Sequence, residues 1–482
     1  MENETELIDY ILTKQNKIKK IVNNNLYFNN EKLDYRIEYY RIKNHIDQFL
    51  NKEYYNRFIV MPGLRGVGKT TIMLQIYDYL IQNGVENKNI LYFDVRELKG
   101  FYDFDIYTTI NSFLINIHQT DIVSLNKKIF LLIDEAHFDK KWASAGKVIY
   151  DQSKNIFMIF TGSSALDLEI NADVERRIKR EEIYPLNFPE FLQLKYKIPY
   201  PENMSAHLKN IILNGNEESI ILAKKEELKL QNDYALLKED SGIEFENYLF
   251  SKGFPFTLNL KEFEIHDRIV KIVNNVIEND ISSLKSFNSN TYPIISRIIT
   301  YLAMQKPGGT SNIKLAQSLG VSPKTVNDIL NILEKTQLIF SVKPFGTGGK
   351  VVKKPWEFFF LSPCIKASIN YELGRYSLNH KKCLATLSET LVISLLFKLK
   401  DTSNSPLGLF YDSEKGGVDF LIKYYDTIIP LEVGVGNKTK SQLTKAINRY
   451  NSNYGILVSN RTPLIKKESN IIYIPLKTFS YL

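Results

Sequence analysis

The run RFIVMPGLRGVGKTT, which begins at Arg57, constrains this chain more than any other stretch. A short apolar segment meets a glycine-bearing turn, and Lys69 and Thr70 then open a helical pattern. Gly63, four residues, then Gly68, Lys69 and Thr70 is the spacing of a phosphate-cradling loop. Its glycines let backbone N–H groups approach phosphate oxygens, and the helix N-terminus adds a favourable dipole. Gly63, Leu64, Arg65, Gly66, Val67, Gly68, Lys69, Thr70 and Thr71 are the expected nucleotide-binding segment. In that role Lys69 reaches the β- and γ-phosphates of ATP, and the Thr70 hydroxyl binds Mg2+.

Such a loop belongs between a buried strand and a helix. RFIVMP, NILYFDV, KKIFLLID and NIFMIFTG are apolar without alternation, as strands buried on both faces of a parallel sheet are. Helical patterns lie between them, so the expected class is α/β with a P-loop parallel sheet. KKIFLLIDEAH ends one strand in Asp134, the expected second Mg2+ ligand, and Glu135 is placed to polarise an attacking water. FTGSSAL offers Thr161, Ser163 and Ser164 at a strand end, with Ser163 the preferred γ-phosphate sensor. In ADVERRIKREE, Arg176, Arg177 and Arg180 are candidates for a catalytic arginine acting within one subunit or between neighbours of an oligomer. Solvated surface charge is the competing reading.

At 482 residues, the chain has room for about three domains. Residues 1–50 read as an N-terminal helical region, 51–195 as the P-loop core and 196–290 as a charged helical lid or linker. In 291–362, three helices precede FSVKPF, a GTGGK turn and WEFFFLS, the pattern of a winged helix. Gly320 ends one of these helices; Ser322 caps the next, with Pro323 at its first position. Residues 363–482 read as a separate α/β domain. Two unclustered cysteines argue against a disulfide scaffold. No apolar run reaches the roughly 20 residues a membrane helix needs, so a cytoplasmic protein without a membrane partner is expected. The net charge of +8 permits nucleic-acid binding.

GLRGVGKTT, LLIDEAH, FTGSSAL, IYPLNFPEF and YLFSKGFP follow one another in this order. The series resembles prokaryotic, archaeal-type AAA-like P-loop ATPases that carry a winged helix and a C-terminal restriction-nuclease-like domain. The resemblance implies ATP and Mg2+ as cofactors and a link to DNA or mobile elements, without supplying a substrate. In its terms Asp419 and Glu432 stand at the carboxylate positions of the nuclease-like domain and Glu389 at the upstream acidic one. Gly434 occupies the lysine position, with Lys438 or Lys440 as substitutes. A retained fold with lost cutting is expected. The letters DEAH also name a helicase family, but the Walker A to Walker B distance is too short for it, and His137 then reads as a helix-start residue.

For contact with double-stranded DNA, the third helix of the winged helix, the recognition-helix candidate, offers Lys324, Asn327, Asn331 and Lys335. The wing offers Lys350, Lys353 and Lys354. The leading expectation is an ATPase whose nucleotide state controls engagement of a partner, DNA foremost. The alternatives are a nucleotide-gated scaffold that binds protein without touching DNA, and an active ATP-dependent nuclease.

Overall fold

Five parallel strands organise the first of two units in the computed structural model. The first unit spans Met1–Tyr184 and the second Pro185–Leu482. Residues 2–28, 30–163, 170, 172–237, 239–281, 291–305, 311–346, 348–375, 381–403, 405–434 and 440–482 are described.

The first sheet contains β1 (Phe58–Pro62), β2 (Ile90–Asp94), β3 (Ile129–Asp134), β4 (Ile156–Gly162) and β5 (Lys179–Arg180), in the order β2-β3-β4-β1-β5. Its pairings are all parallel. Successive strand residues point to opposite faces, and here both faces are covered, which accounts for the unbroken apolar runs. One face meets Leu7, Tyr10 and Ile11 of α1 (Glu2–Leu26), which share a core with Phe58, Val60, Leu131 and Met158. On the other, Phe49 of α2 (Ile37–Leu50) meets Phe130 and Phe157 at ring separations of 5.7 and 5.4 Å. Burying side chains of this size contributes about 1.5–3 kcal/mol each. α3 (Lys69–Gln82), α4 (Ile106–His118) and α5 (Trp142–Gln152) connect the strands.

The second unit opens with helices α6 (Phe188–Tyr196), α7 (Glu202–Asn214), α8 (Glu217–Tyr234), α9 (Ser241–Ser251) and α10 (Glu262–Asn275). The segment expected as a lid or linker thus lies inside this unit and bonds to its C-terminal part. Tyr454 Oη donates to Ile212 O at 3.0 Å, and Ile465 N donates to Glu227 Oε2 at 2.7 Å. Next come α11 (Thr291–Met304), α12 (Asn312–Leu319) and α13 (Pro323–Lys335). The α12–α13 turn forms as its residues dictate. Gly320 takes φ +67°, the Ser322 side chain accepts Thr325 N at 3.1 Å, and Pro323 starts α13.

β6 (Ile339–Pro344) pairs antiparallel with β7 (Glu357–Phe360). Between them the Gly-rich GTGGK stretch, expected as the turn of this hairpin, leads into a short helix, α14 (Gly348–Lys353). β6 also pairs in parallel with β8 (Leu407–Tyr411). One eight-stranded sheet therefore runs across the expected boundary at 362/363. It adds β9 (Phe420–Tyr424), β10 (Thr427–Gly434), β11 (Gly455–Ser459), β12 (Lys466–Glu468) and β13 (Ile471–Pro475), in the order β12-β13-β11-β10-β9-β8-β6-β7. α15 (Pro363–Glu372), α16 (Lys381–Thr402) and α17 (Lys440–Arg449) complete the unit. Phe397 of α16 stacks on Phe340 of β6 at 4.4 Å.

Candidate functional site

The loop after β1 is shaped by what a side chain could not do there. A Cβ on Gly63 would collide with the Ile183 carbonyl, and Gly68 sits at φ +99°, which an L side chain rarely adopts. Leu64 and Val67 are buried beneath the loop, Gly66 is exposed, and Arg65 and Thr71 are half-buried. Lys69 starts α3 at 6 % exposure. Its Nζ donates to Gly63 O at 2.8 Å and to Leu64 O at 3.0 Å. The ammonium therefore rests on carbonyls of the cradle itself.

β4 separates β1 from β3, yet the ends of β1 and β3 converge through α3. Thr70 Oγ1 donates to Asp134 Oδ2 at 2.7 Å, and Thr161 Oγ1 at the end of β4 donates to Asp134 Oδ1. Asp134 is 3 % exposed; burial, and then the charge of Glu135, push its carboxyl above the usual carboxylate range. A buried carboxylate beside a hydroxyl is a pair of hard oxygen donors, the chemistry Mg2+ favours when phosphates and water supply the remaining ligands. The residues present fit that ion.

Glu135 is held in a left-handed conformation, φ +54°. Its N–H donates to Thr161 Oγ1 at 3.2 Å and to Asp134 Oδ1 at 3.1 Å. Strain of this kind in a residue without a glycine's freedom persists where neighbours over-determine it. The Glu135 Oε2 lies 3.4 Å from His137 Nδ1, and the same Nδ1 accepts Ser163 N, also at 3.4 Å. The ring nitrogen serves one of these at a time: it accepts from Ser163 when unprotonated and donates to Glu135 when protonated. His137 is thus more than a helix-start residue. Its signal in the sequence is only its position two residues after Glu135. Ser163 is 2 % exposed, and its Oγ has no partner among the described residues. Ser164 lies outside the described residues.

The arginine cluster is already engaged. Arg177 Nε donates to Asp151 Oδ1 at 2.6 Å and Arg176 Nη2 to Asp173 Oδ1 at 2.6 Å; Arg180 lies 3.7 Å from Glu175. Arg36, which the sequence pattern does not single out, is the arginine that meets the loop. It is 4 % exposed and donates to Val67 O at 2.6 Å and Tyr184 O at 3.0 Å, with Glu38 at 3.3 Å.

In the second unit, neighbouring antiparallel strands bring two of the three expected carboxylates together. Asp419 N donates to Glu432 Oε2 at 3.2 Å, and Val433 N donates to Asp419 Oδ2 at 2.7 Å. Glu389 stands on α16, where its charge acts on the buried Lys366. Among the described residues no three acidic, His or Cys side chains form a metal-holding group. Glu357 on β7, not anticipated, is close enough to Asp419 for that charge to add to burial in raising its carboxyl to about 7. Gly434 ends β10. Lys440, at the start of α17, pairs with Glu468 at 2.8 Å and lies over the Tyr473 ring at 5.0 Å; Lys438 lies outside the described residues. Lys354 donates to Ser413 O and Oγ at 2.9 and 2.8 Å, while the side chains of Lys350 and Lys353 are not described.

A family model described as an AAA domain matches residues 55–192, which contain the phosphate-cradling loop, Asp134, Glu135 and Ser163. The first unit therefore carries an AAA-type P-loop ATPase domain. The chain as a whole belongs to the family of the uncharacterized protein MJ1637 of Methanocaldococcus jannaschii. The two are 31 % identical over 99 % of this chain and 94 % of that protein. An uncharacterized protein of Haemophilus influenzae is 24 % identical over 86 % of this chain and 91 % of its own length. A second model, a domain of unknown function (DUF8612), matches residues 243–360. Among solved structures, the Walker-type ATPase PABY2304 of Pyrococcus abyssi aligns with a TM-score of 0.42 at 12 % identity, covering 72 % of this chain and 97 % of that one. No helix among the described residues is long and apolar enough to cross a membrane.

Proposed function

We propose that this chain is a cytoplasmic, Mg2+-dependent ATPase whose nucleotide state controls how its second unit engages DNA. The observation that carries the ATPase reading is the Thr70–Asp134 hydrogen bond, which joins the phosphate-cradling helix to the acidic strand end. Mg2+, held by Thr70 and Asp134, would neutralise charge on the β- and γ-phosphates. Lys69 exchanges the carbonyls of Gly63 and Leu64 for those phosphates, and the loop's N–H groups bind their oxygens. Glu135, its backbone pinned by Thr161, orients a water for in-line attack on the γ-phosphorus and accepts its proton as the bond to the β-phosphate oxygen breaks. Ser163, with its buried hydroxyl, is the candidate that registers the γ-phosphate.

The DNA part of the reading takes α12, α13 and the β6–β7 pair as a winged helix and is supported by Lys324, Asn327, Asn331 and Lys335, which are exposed along α13. The strands carrying Asp419 and Glu432 are read as a restriction-nuclease-like fold that no longer cuts, a reading favoured by Gly434 and by the commitment of Lys440 to Glu468. The test is an electrophoretic shift assay with and without ATP, run beside phosphate release. Hydrolysis lost in Asp134→Asn together with ATP-dependent DNA binding is the expected pair of results; DNA binding indifferent to ATP would overturn the coupling.

A further inference from the structure

Beside α13 lies a groove of about 690 Å³, walled by the start of α12, one face of α13, β6 and the connection leading into β7. That size falls within the roughly 300–1,000 Å³ of sites that take small organic groups. Its chemistry is narrow. Asn312, Asn327 and Asn331 supply amides, Lys343 and Lys354 supply cations, and Trp356 supplies an aromatic plane. None of the described lining residues carries a carboxylate.

The polar groups are held in place. Asn327 and Asn331 are exposed one turn apart on the same face of α13. Asn312 Nδ2 donates to Asn327 Oδ1, while Asn312 Oδ1 is buried with no partner among the described residues. The indole N–H of Trp356 donates to Val351 O at 3.4 Å, which fixes the ring. Lys343 Nζ, on an exposed side chain, lies over that ring, 4.6 Å from its centroid, so a cation covers one electron-rich face.

We propose that this groove takes a single unstacked nucleobase, so that the second unit binds single-stranded or locally opened nucleic acid; this rests on the DNA reading given above and narrows it. A base inside a duplex presents only its edges to a groove and keeps its faces stacked on its neighbours. An unstacked base lays a face against Trp356, displacing Lys343 outward to a backbone phosphate, and offers an N–H, such as the imide N–H of thymine, to Asn312 Oδ1 and its carbonyls to the amides of Asn327 and Asn331. The acid-free lining suits a polyanion.

The chain has two tryptophans, and Trp142 is fully buried in the first unit, so Trp356 reports on the groove by its fluorescence. The experiment titrates the full-length chain with single-stranded oligothymidylate, with a blunt mixed-sequence duplex and with thymidine monophosphate, following fluorescence and electrophoretic shift. The expected result is quenching by the single strand at concentrations where the duplex and the mononucleotide quench little. Trp356→Phe keeps single-strand binding and loses the quench, whereas Trp356→Ala weakens binding roughly five- to a hundredfold, the range of one lost base–aromatic stack. Asn327→Ala on the exposed face of α13 weakens it without touching the core. Duplex binding without quenching overturns the groove and leaves the DNA reading standing. Single-strand binding that survives Trp356→Ala also overturns the groove. Equal saturation by the mononucleotide makes it a free-nucleotide site and overturns the strand proposal. Binding of neither nucleic acid overturns both readings.

Discussion

Thr70 and Asp134 are 64 residues apart in the chain and 2.7 Å apart in the fold. The hydroxyl of the first turn of α3 donates to the carboxylate at the end of β3, and this bond spans the strand that separates the two halves of the nucleotide site. Lys69→Ala and Asp134→Asn are each expected to lower ATP turnover by about two orders of magnitude or more, since each removes a group facing charge that changes in the transition state. Glu135→Gln should retain ATP binding and lose about 10²–10⁴ in rate. Phosphate release beside nucleotide binding separates the cases, and a wild-type rate in Glu135→Gln would end its role as the water-orienting base.

Arg36 links the nucleotide loop to the body of the first unit through Val67 O, and it faces the fully buried Glu38. Arg36→Met strands that carboxylate and should cost about 3–5 kcal/mol of stability. Adding Glu38→Gln should recover part of the loss, because the unpaired charge is then gone. Urea unfolding of the three proteins measures this; a double variant no more stable than Arg36→Met would show that packing, not charge, sets the cost.

Arg176 and Arg177 converge on Asp173, so a catalytic role requires them to leave it. Arg176→Ala or Arg177→Ala should lower the hydrolysis rate with little change in ATP affinity, as a group acting chiefly in the transition state does. Normal rates in both, and in Arg180→Ala, would leave the cluster as surface charge. A specific rate that climbs with protein concentration would place the arginine in a neighbouring subunit.

His266 is 2 % exposed, bonded through Nδ1 to Ser368 Oγ at 2.9 Å and stacked on Tyr371 at 4.1 Å. Burial, helped by Lys252, lowers its pKa to about 4 from the ordinary 6.5. Between those values the unfolded chain binds the proton and the folded chain does not, so stability falls as pH drops from 6.5 to 4 and then levels off. The full effect is about 3 kcal/mol. His266→Gln should flatten this part of the profile in thermal melts. An equally steep acid limb in that variant would assign it to other groups.

The second acidic pair lacks a cation at Gly434. The loss of one well-placed electrostatic group is typically worth a few hundred-fold in rate. The wild-type chain should therefore show no metal-dependent cleavage of DNA, with or without ATP, and Gly434→Lys should introduce weak cutting that Asp419→Ala abolishes. Cleavage by the wild type that disappears in Asp419→Ala would contradict this, and Lys438→Ala and Lys440→Ala would then show which lysine substitutes.

The core of the first sheet was readable because four of its strands are apolar on both faces, and the glycines and Lys69 announce the phosphate-cradling loop after β1. β5 and β12 escaped for the opposite reason. They are short, charged and exposed at sheet edges, the composition that protects an edge from pairing with another chain. Arg36 escaped because its acceptors, Val67 and Tyr184, are distant in the chain, and nothing local marks an arginine that folds inward. GTGGK reads as a turn because glycine admits turn geometry, but composition alone does not report that a short helix occupies the same connection. Asp419 and Glu432 were legible as a pair, whereas Glu357 stands on β7, which is not a neighbour of β9 in the sheet order, and nothing local in the sequence marks its nearness to Asp419.

The parallel pairing of β6 with β8 makes this protein difficult to cut into pieces. A fragment ending at residue 362 would keep α12, α13 and the β6–β7 pair but strip β6 of the strand it meets at Lys343 and Pro344, opening that edge to another chain. The complementary fragment would expose β8 in the same way. Excised modules of this kind should clump, so fragments that keep residues 185–482 intact are the ones the architecture favours. The same seam couples inheritance: a substitution that shifts β8 is felt by β6 and β7 on one side and by β9 and β10 on the other, and the two regions are expected to drift together over evolutionary time.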